Sequence, residues 1–456
     1  MTYTNSRVSC VLMKALTTFI FVSYLAASAE AANWFVRSTA TGANTGTDWT
    51  DAWSNVTQIR WGSGKVVAGD TVYIAGGTYG RLTVEASGSP GNVITIRRAR
   101  ATNAVCTATA GWNASYDSQP QIDRVNLSGG HSYITFDGEI PLMGIMFTNT
   151  ITNTDSYTFN LGSGNSGRIT VLNSDIVGCG YANVDTGVNE SRCWNSGPGA
   201  SFVNNRIAYC TLRNAPTLLS TVRENGLILE HNVLHSNLTG NTVVLHPNVW
   251  QSVGCSDVIM RFCTVSNWQT EGIMMCFAST RDAPNSNWNI YGNIWRDSIP
   301  GSSARVLESQ YVVNGPINFF NNTVLTSAIG IRVSGANGGT WSADSSSSNN
   351  ISFGSVSIDF GNANADYNLT DRPARGSHSI TDATSASVFV SAADCHIVAK
   401  IGASFPRDKG VNLGSAFAED FEGKLRGADG KWDIGAYEQG IIARPSSPAN
   451  LRLVSP

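Results

Sequence analysis

Between residues 169 and 352 one short pattern recurs: apolar residues alternate with polar ones, a small polar residue, usually Asn, breaks the run, and an apolar residue follows two positions later. It reads ITVLNSDI (169–176), SFVNNRI (201–207), LILEHNVL (227–234), VIMRFCTV (258–265), NIYGNIW (289–295), INFFNNTV (317–324) and SSSSNNIS (345–352). Alignment puts Ser174, Asn205, Asn232, Cys263, Asn293, Asn322 and Asn350 in one column, spaced by 31, 27, 31, 30, 29 and 28 residues. Alternation with period two marks strands, and a period near 29 is too long for hairpins that turn every ~8–12 residues. The pattern predicts a coil of three short strands per turn, stacked on itself, an all-β right-handed parallel β-helix. Asn suits the column because it tolerates left-handed backbone and its amides can bond along a stack.

Counting from the column, offsets −5, −3, −1 and +2 are expected to fill the interior: Leu227, Leu229, His231 and Leu234 in one coil, Val258, Met260, Phe262 and Val265 in the next. His231 is accordingly read as a core histidine. Around the coils, residues 32–130 are assigned to an N-terminal cap and first coils, 131–374 to the central coils, and 375–440 to the C-terminal coils and cap. Residues 441–456 read as a linker-like tail, which fits either a simple tail or a chain that continues into another module.

The start of the chain fits a leader: Met13 and Lys14, an apolar run from Ala15 to Ala27, then Ala29 and Ala31 as small residues at a cleavage site. Residues 1–31 are therefore expected to be a signal peptide, and the mature protein to be secreted or held at the cell surface. No later run is apolar enough for a membrane span. Beyond the leader eight Cys remain, an even number in a compartment that permits disulfides. Buried thiols are the other reading, although Cys179 and Cys210, both at offset +5, fall within disulfide reach if the coils stack in this register.

The chain has 456 residues, a net charge of −3 and only 14% charged residues. Disordered and coiled-coil classes are excluded, and no positive field calls for nucleic acid. A monomer is expected.

WFVRSTATGANTGTDWTDAW (34–53), GDTVYIAGGTYGRLTV (69–84) and NVITIRRA (92–99) resemble the opening of secreted pectin-lyase-like right-handed β-helix proteins, and DIGAYE (433–438) resembles a tail motif of that superfamily. The resemblance implies the fold and a polysaccharide partner, and implies Ca²⁺ in some members. It leaves lyases, hydrolases, epimerases and non-catalytic adhesins open. Lyases of this fold that use a Lys base are excluded from the central coils, because no Lys lies between Lys65 and Lys400. No Asp cluster suggests a calcium site there. Of the polygalacturonase signature only Asn153, Thr154 and Asp155 match.

Chemistry is sought on outward offsets. At −2 the column runs Leu172, Val203, Glu230, Arg261, Tyr291 and Phe320. Glu230 and Arg261 are the expected catalytic pair, with His235 at +3 as a proton carrier. Tyr291 and Phe320 are expected sugar platforms. Arg296 lies two coils beyond His235 and is assigned to substrate binding. A second column near +18 holds Arg192, Arg223 with Glu224, Trp250 with Gln251, and Arg281 with Asp282; Arg223 and Arg281 are read as an anion-binding strip. Glu271 is a spare acid, and no metal ligands are assigned. The leading expectation is an exported lyase or hydrolase of an acidic polysaccharide. A non-catalytic adhesion β-helix that binds polysaccharide is the alternative.

Overall fold

Three all-parallel sheets carry the structure, and the chain visits them in turn. The computed structural model describes residues 31–151, 156–162, 164–180, 191–236, 248–276, 283–299, 304–326, 329–333, 338–354, 357–361 and 364–439. The leader, the tail, Arg281, Asp282 and the Asn153–Asp155 tripeptide lie outside the described residues.

A coil runs through the first sheet (Ser256–Arg261), bends into the second (Thr264–Ser266), and crosses to the third (Glu271–Cys276) before starting again at Ser286–Tyr291. Its neighbours pair strand for strand in all three sheets. This is a parallel β-helix, as the period near 29 predicts.

The first bend explains the Asn column. One residue at each bend takes a left-handed conformation, with φ from 52° to 64° at Asn173, Tyr209, His231, Phe262, Gly292, Asn321, Asn349 and Tyr367. The next residue joins a ladder. The N–H groups of Cys210, Cys263, Asn293, Asn322 and Asn350 donate to the amide oxygens of Asn232, Asn293, Asn322, Asn350 and Asn368 at 2.9–3.0 Å. Each Asn of that ladder returns its amide N–H to a carbonyl of the preceding coil, as Asn322 does to Ile290 at 2.9 Å.

Two expectations change here. Ser174 stacks on Cys210, since Asp175 pairs with Thr211, so Cys210 and not Asn205 holds the second place. Asn205 instead sits inside the first sheet, accepting from the Ile169 N–H and donating to Glu224. Offset −1 is not interior either. His231 and Phe262 are the left-handed bend residues, and their rings stack along the outside at 4.7 Å from Tyr209 to His231 and 5.1 Å from His231 to Phe262. Gly292 continues that column because the Phe262 ring fills the space where its Cβ would stand.

Offsets −5, −3 and +2 do point inward: Leu227, Leu229, Leu234, Val258, Met260 and Val265 are fully buried. They meet an inward column from the third sheet in which Phe159, Trp194, Leu219, Trp250, Ile273, Leu307 and Ile331 align. All eight described Cys are free thiols. Cys210 bonds to the Ala208 and Val171 carbonyls while Cys179 lies against Ser156, so the expected pairing fails with the register that suggested it.

The C-terminal segment packs back on the stack. Val388, Phe389, Ile434 and Tyr437 join Ile294, Ile351 and Leu369 of the second sheet. The DIGAYE motif is the clasp: Glu438 accepts from the N–H groups of Gly427 and Asp433, and Arg426, buried beside it, donates to the Gly435 and Ala436 carbonyls. No helix among the described residues is long and apolar enough to cross a membrane.

Glu224 points into the interior, bonded to the Trp194 indole N–H and the Asn205 amide. Burial, which those donors only partly offset, pushes its carboxyl from 4.5 to about 7. An acid raised on folding releases its proton later in the folded state than in the unfolded one. Stability should then fall as pH rises from about 4.5 to 7, by roughly 1.4 kcal/mol per unit. Thermal unfolding followed across that range should show the fall in the native chain, and Glu224→Gln should reduce it, leaving the share of Glu438, whose carboxyl burial also raises to about 7. Asn322→Ala leaves the Asn293 N–H and the Ile290 carbonyl unpaired in the interior, and chemical unfolding should register a loss of about 2–4 kcal/mol.

Candidate functional site

The expected pair does meet. Ala208, Glu230, Arg261, Tyr291 and Phe320 stand in one outward column of the first sheet; in the second coil Ala208 replaces the expected Val203, for the register reason given above. Arg206 Nε donates to one Glu230 oxygen at 2.6 Å and Arg261 Nε to the other at 2.7 Å. Arg261 Nη1 continues to the Tyr291 hydroxyl at 3.0 Å. Burial pushes the Glu230 carboxyl up, but Arg261 and Arg206 outweigh it and hold it below the ordinary range.

The network is closed. Glu230 is 5% exposed, Tyr291 4% and Phe320 8%. Phe417 from the C-terminal segment sets its ring edge-on against both aromatics, at 4.9 and 5.2 Å, and Leu413 and Phe421 complete the cover. Tyr291 and Phe320 therefore offer no ring face to a sugar, and Glu230 is spent on two guanidinium groups. This corrects the sugar-platform expectation: residues that alternation places outward are buried by a segment about a hundred positions away in the chain.

His235 and Arg296 lie on the second sheet, across the bend from Glu230. His235 Nδ1 is 2.8 Å from Ser266 Oγ, and Arg296 pairs with Asp297 at 2.6 Å. Arg223 is a left-handed residue (φ 53°) at the bend that leads into the first sheet. Arg192 and Gln251 belong to the third sheet, while Trp250 and Glu224 point inward. The strip is thus split over two faces and the interior.

The third sheet is open at one end, while Asn195, Met274 and Glu308 further along it are buried. Its outward column aligns Asn126, Asn160, Asn195, Ser220, Gln251, Met274, Glu308 and Arg332. At one end is a groove of about 320 Å³ lined by Arg81, Arg124, Asn126, Ser128, Tyr157 and Asn160. Arg81 is exposed and Arg124 is held by Asp123 at 2.8 Å. The Arg192 guanidinium lies 5.5 Å from the Tyr157 ring centre, within cation–π range. Cations, amides and one aromatic ring are what a uronate chain requires.

Further along the same sheet Arg305 bridges two acids, Glu271 at 2.8 Å and Glu308 at 2.6 Å, and Arg332 pairs with Glu308 at 2.9 Å. Burial raises the Glu308 carboxyl, Arg305 opposes that, and neighbouring Glu271 adds to it. Glu271 Oε2 is buried with no hydrogen-bond partner. Arg81, Arg124 and Tyr157 fall outside the repeat that guided the alignment, which is why the sequence did not single them out; the sequence candidates that fall on this sheet are Arg192, Trp250, Gln251 and Glu271. Among the described residues no three His, Cys, Asp or Glu side chains converge as metal ligands.

No family model matches the chain, and no curated protein matches it. Among solved structures, the pectate lyase Pel9A aligns with a TM-score of 0.51 at 12% identity, over 90% of this chain and 97% of that one. A rhamnogalacturonan lyase aligns at 0.45 and 13%, over 79% and 91%. An alginate lyase from Paenibacillus sp. str. FPU-7 aligns at 0.37 and 14%, over 64% and 97%. The pectate lyase likeness shows the fold alone: this chain shares that enzyme's parallel β-helix.

A chemical consequence follows for the closed network. Glu230→Gln removes the charge between Arg206 and Arg261, and should lower stability by about 1–3 kcal/mol, given how exposed the two Arg side chains are. Binding of an anionic oligosaccharide, measured by calorimetry, should stay unchanged.

Proposed function

We propose that the chain acts on an acidic polysaccharide held along the outward face of the third sheet and cleaves it by β-elimination. The groove of Arg81, Arg124 and Tyr157 carries this reading. A guanidinium paired to a uronate carboxylate withdraws charge from it, which makes the neighbouring C–H easier to deprotonate, as elimination requires. Tyr157, with Arg192 over its ring, is the stacking surface for a sugar. The pectate lyase that shares the fold is named for an acidic polysaccharide substrate. The leader-like residues 1–31 support export.

Hydrolysis is the second reading; it would use Glu271 and Glu308, which are buried and paired with Arg305 and would have to be uncovered to act. Hydrolysis needs a carboxyl pair at fixed separation.

The full chain should be incubated with polygalacturonate, alginate and a glycosaminoglycan while unsaturated ends, by ultraviolet absorbance, and new reducing ends are followed together. Both signals should rise on at least one substrate. Arg81→Ala with Arg124→Ala should raise KM about 10-fold or more, and Tyr157→Ala should weaken binding in the same direction. Reducing ends alone would transfer the reading to hydrolysis and to Glu271 and Glu308. Silence on every substrate would overturn the catalytic reading and leave polysaccharide binding.

A further inference from the structure

The outward face of the second sheet holds a set of groups that the groove does not use. Arg213, His235, Ser266 and Arg296 stand in register on four successive strands. His235 Nδ1 lies 2.8 Å from Ser266 Oγ, and its Nε2 lies 3.4 Å from the Asn267 amide nitrogen. All three side chains are half-buried and so reachable from solvent. Asn267 is fixed by its backbone: it takes a left-handed conformation, φ 58°, and its N–H donates to the Asp297 carbonyl at 3.0 Å. Asn adopts that conformation at little cost.

A serine hydroxyl is a weak nucleophile until a base at hydrogen-bond distance takes its proton, and the base works only if a third group holds its ring in place. The three residues supply those roles. A neutral imidazole has one N–H and one lone pair. When the Asn267 amide turns its oxygen to Nε2–H, a flip that leaves its shape unchanged, Nδ1 is left to accept the Ser266 proton. Burial, with Arg213 adding to it and Asp297 opposing, lowers the His235 pKa, so the ring is in its base form at neutral pH. Arg213 and Arg296 flank the pair on the adjoining strands. Asp175 fixes Arg213 through two bonds of 3.0 and 2.8 Å.

We propose that Ser266, His235 and Asn267 form a nucleophile, base and orienting group that hydrolyse carboxylic esters borne by an acidic polysaccharide. Ser266 Oγ bonds to the ester carbonyl carbon as its proton passes to His235. The carbon–oxygen bond to the alcohol breaks and the alcohol leaves with that proton. Water then attacks the acyl-serine, gives a proton to His235, and releases the carboxylic acid as the serine oxygen recovers the proton. Reactants are one ester and one water, and nothing is oxidised. Arg213 and Arg296 bound the site on either side, each already paired, to Asp175 and Asp297. The polysaccharide part of the assignment rests on the proposed function; the Ser–His–Asn set does not.

The test uses the full chain with a fluorophosphonate probe and with p-nitrophenyl acetate, followed by methyl-esterified and O-acetylated polygalacturonate. Mass spectrometry should place the probe on Ser266. Ser266→Ala should abolish labelling and lower p-nitrophenyl acetate hydrolysis by about 100-fold or more. His235→Asn should do the same, with unfolding midpoints showing that both variants fold. Methanol release would assign the ester to the uronate carboxyl, and acetate release to a sugar hydroxyl. Labelling at another residue, or ester hydrolysis unchanged in Ser266→Ala, overturns the proposal. Activity on p-nitrophenyl acetate through Ser266 with neither polymer attacked overturns its polysaccharide half. Ester release without chain cleavage would count against the lyase reading and leave this one standing.

Discussion

The bend between the first and second sheets governs the rest of the molecule. A single left-handed residue turns the chain there, too tightly for the backbone to satisfy its own polar groups, and the interior admits no water to do so. The Asn ladder from Asn232 to Asn368 supplies the missing bonds, each amide serving the coil on either side. Where Cys210 or Cys263 takes the place of Asn, the backbone N–H still reaches the next amide in line. This ladder sets the register of the coils, and register decides which outward side chains become neighbours. It brings Glu230 onto Arg261, and it turns His235, five residues later, onto another face.

How much of this could be read from the sequence follows from the range of the interactions. The coil period, the inward offsets −5, −3 and +2, and the meeting of Glu230 with Arg261 are properties of adjacent coils, and the repeat displays them. Asn205 misled because a coil interrupted at left-handed Asn204 splits its first-sheet strand into two pieces, Phe202–Val203 and Arg206–Ala208, so the true column passes through Cys210. His231 and Phe262 misled because alternation stops at a left-handed residue, whose side chain no longer obeys the two-residue rule. The cover that Phe417 lays over Tyr291 and Phe320 joins distant parts of the chain, and no local pattern encodes it.

Charge is used in two ways on the first and third sheets. On the first sheet Glu230 has both carboxylate oxygens bonded to guanidinium groups, and an apolar lid covers the adjoining rings. An ion pair so completely satisfied has little left for a ligand. On the third sheet Arg81 is exposed, Tyr157 has a ring within reach, and amides of successive coils line the floor. The coil spacing of about 5 Å repeats such groups along the axis, which matches a polymer better than a small molecule. Burial alone does not mark function here: Glu224, fully enclosed, is bonded to the neutral Trp194 indole and Asn205 amide.

The two proposed sites are related by the chemistry of their substrate. A uronate whose carboxyl is esterified has no charge for Arg81 or Arg124 to pair with, so the groove should discriminate against it by the loss of one charge-assisted contact at each blocked residue. Hydrolysis at Ser266 would create the missing carboxylate. The ester has to be removed before the groove can hold that stretch of chain, and the two sites lie on different sheets of one rigid stack. A polymer must therefore be released from one face before it is bound by the other, or be bound at both faces through separate stretches. In the second case the Asn ladder, by fixing the angle between sheets, also fixes how the two stretches approach.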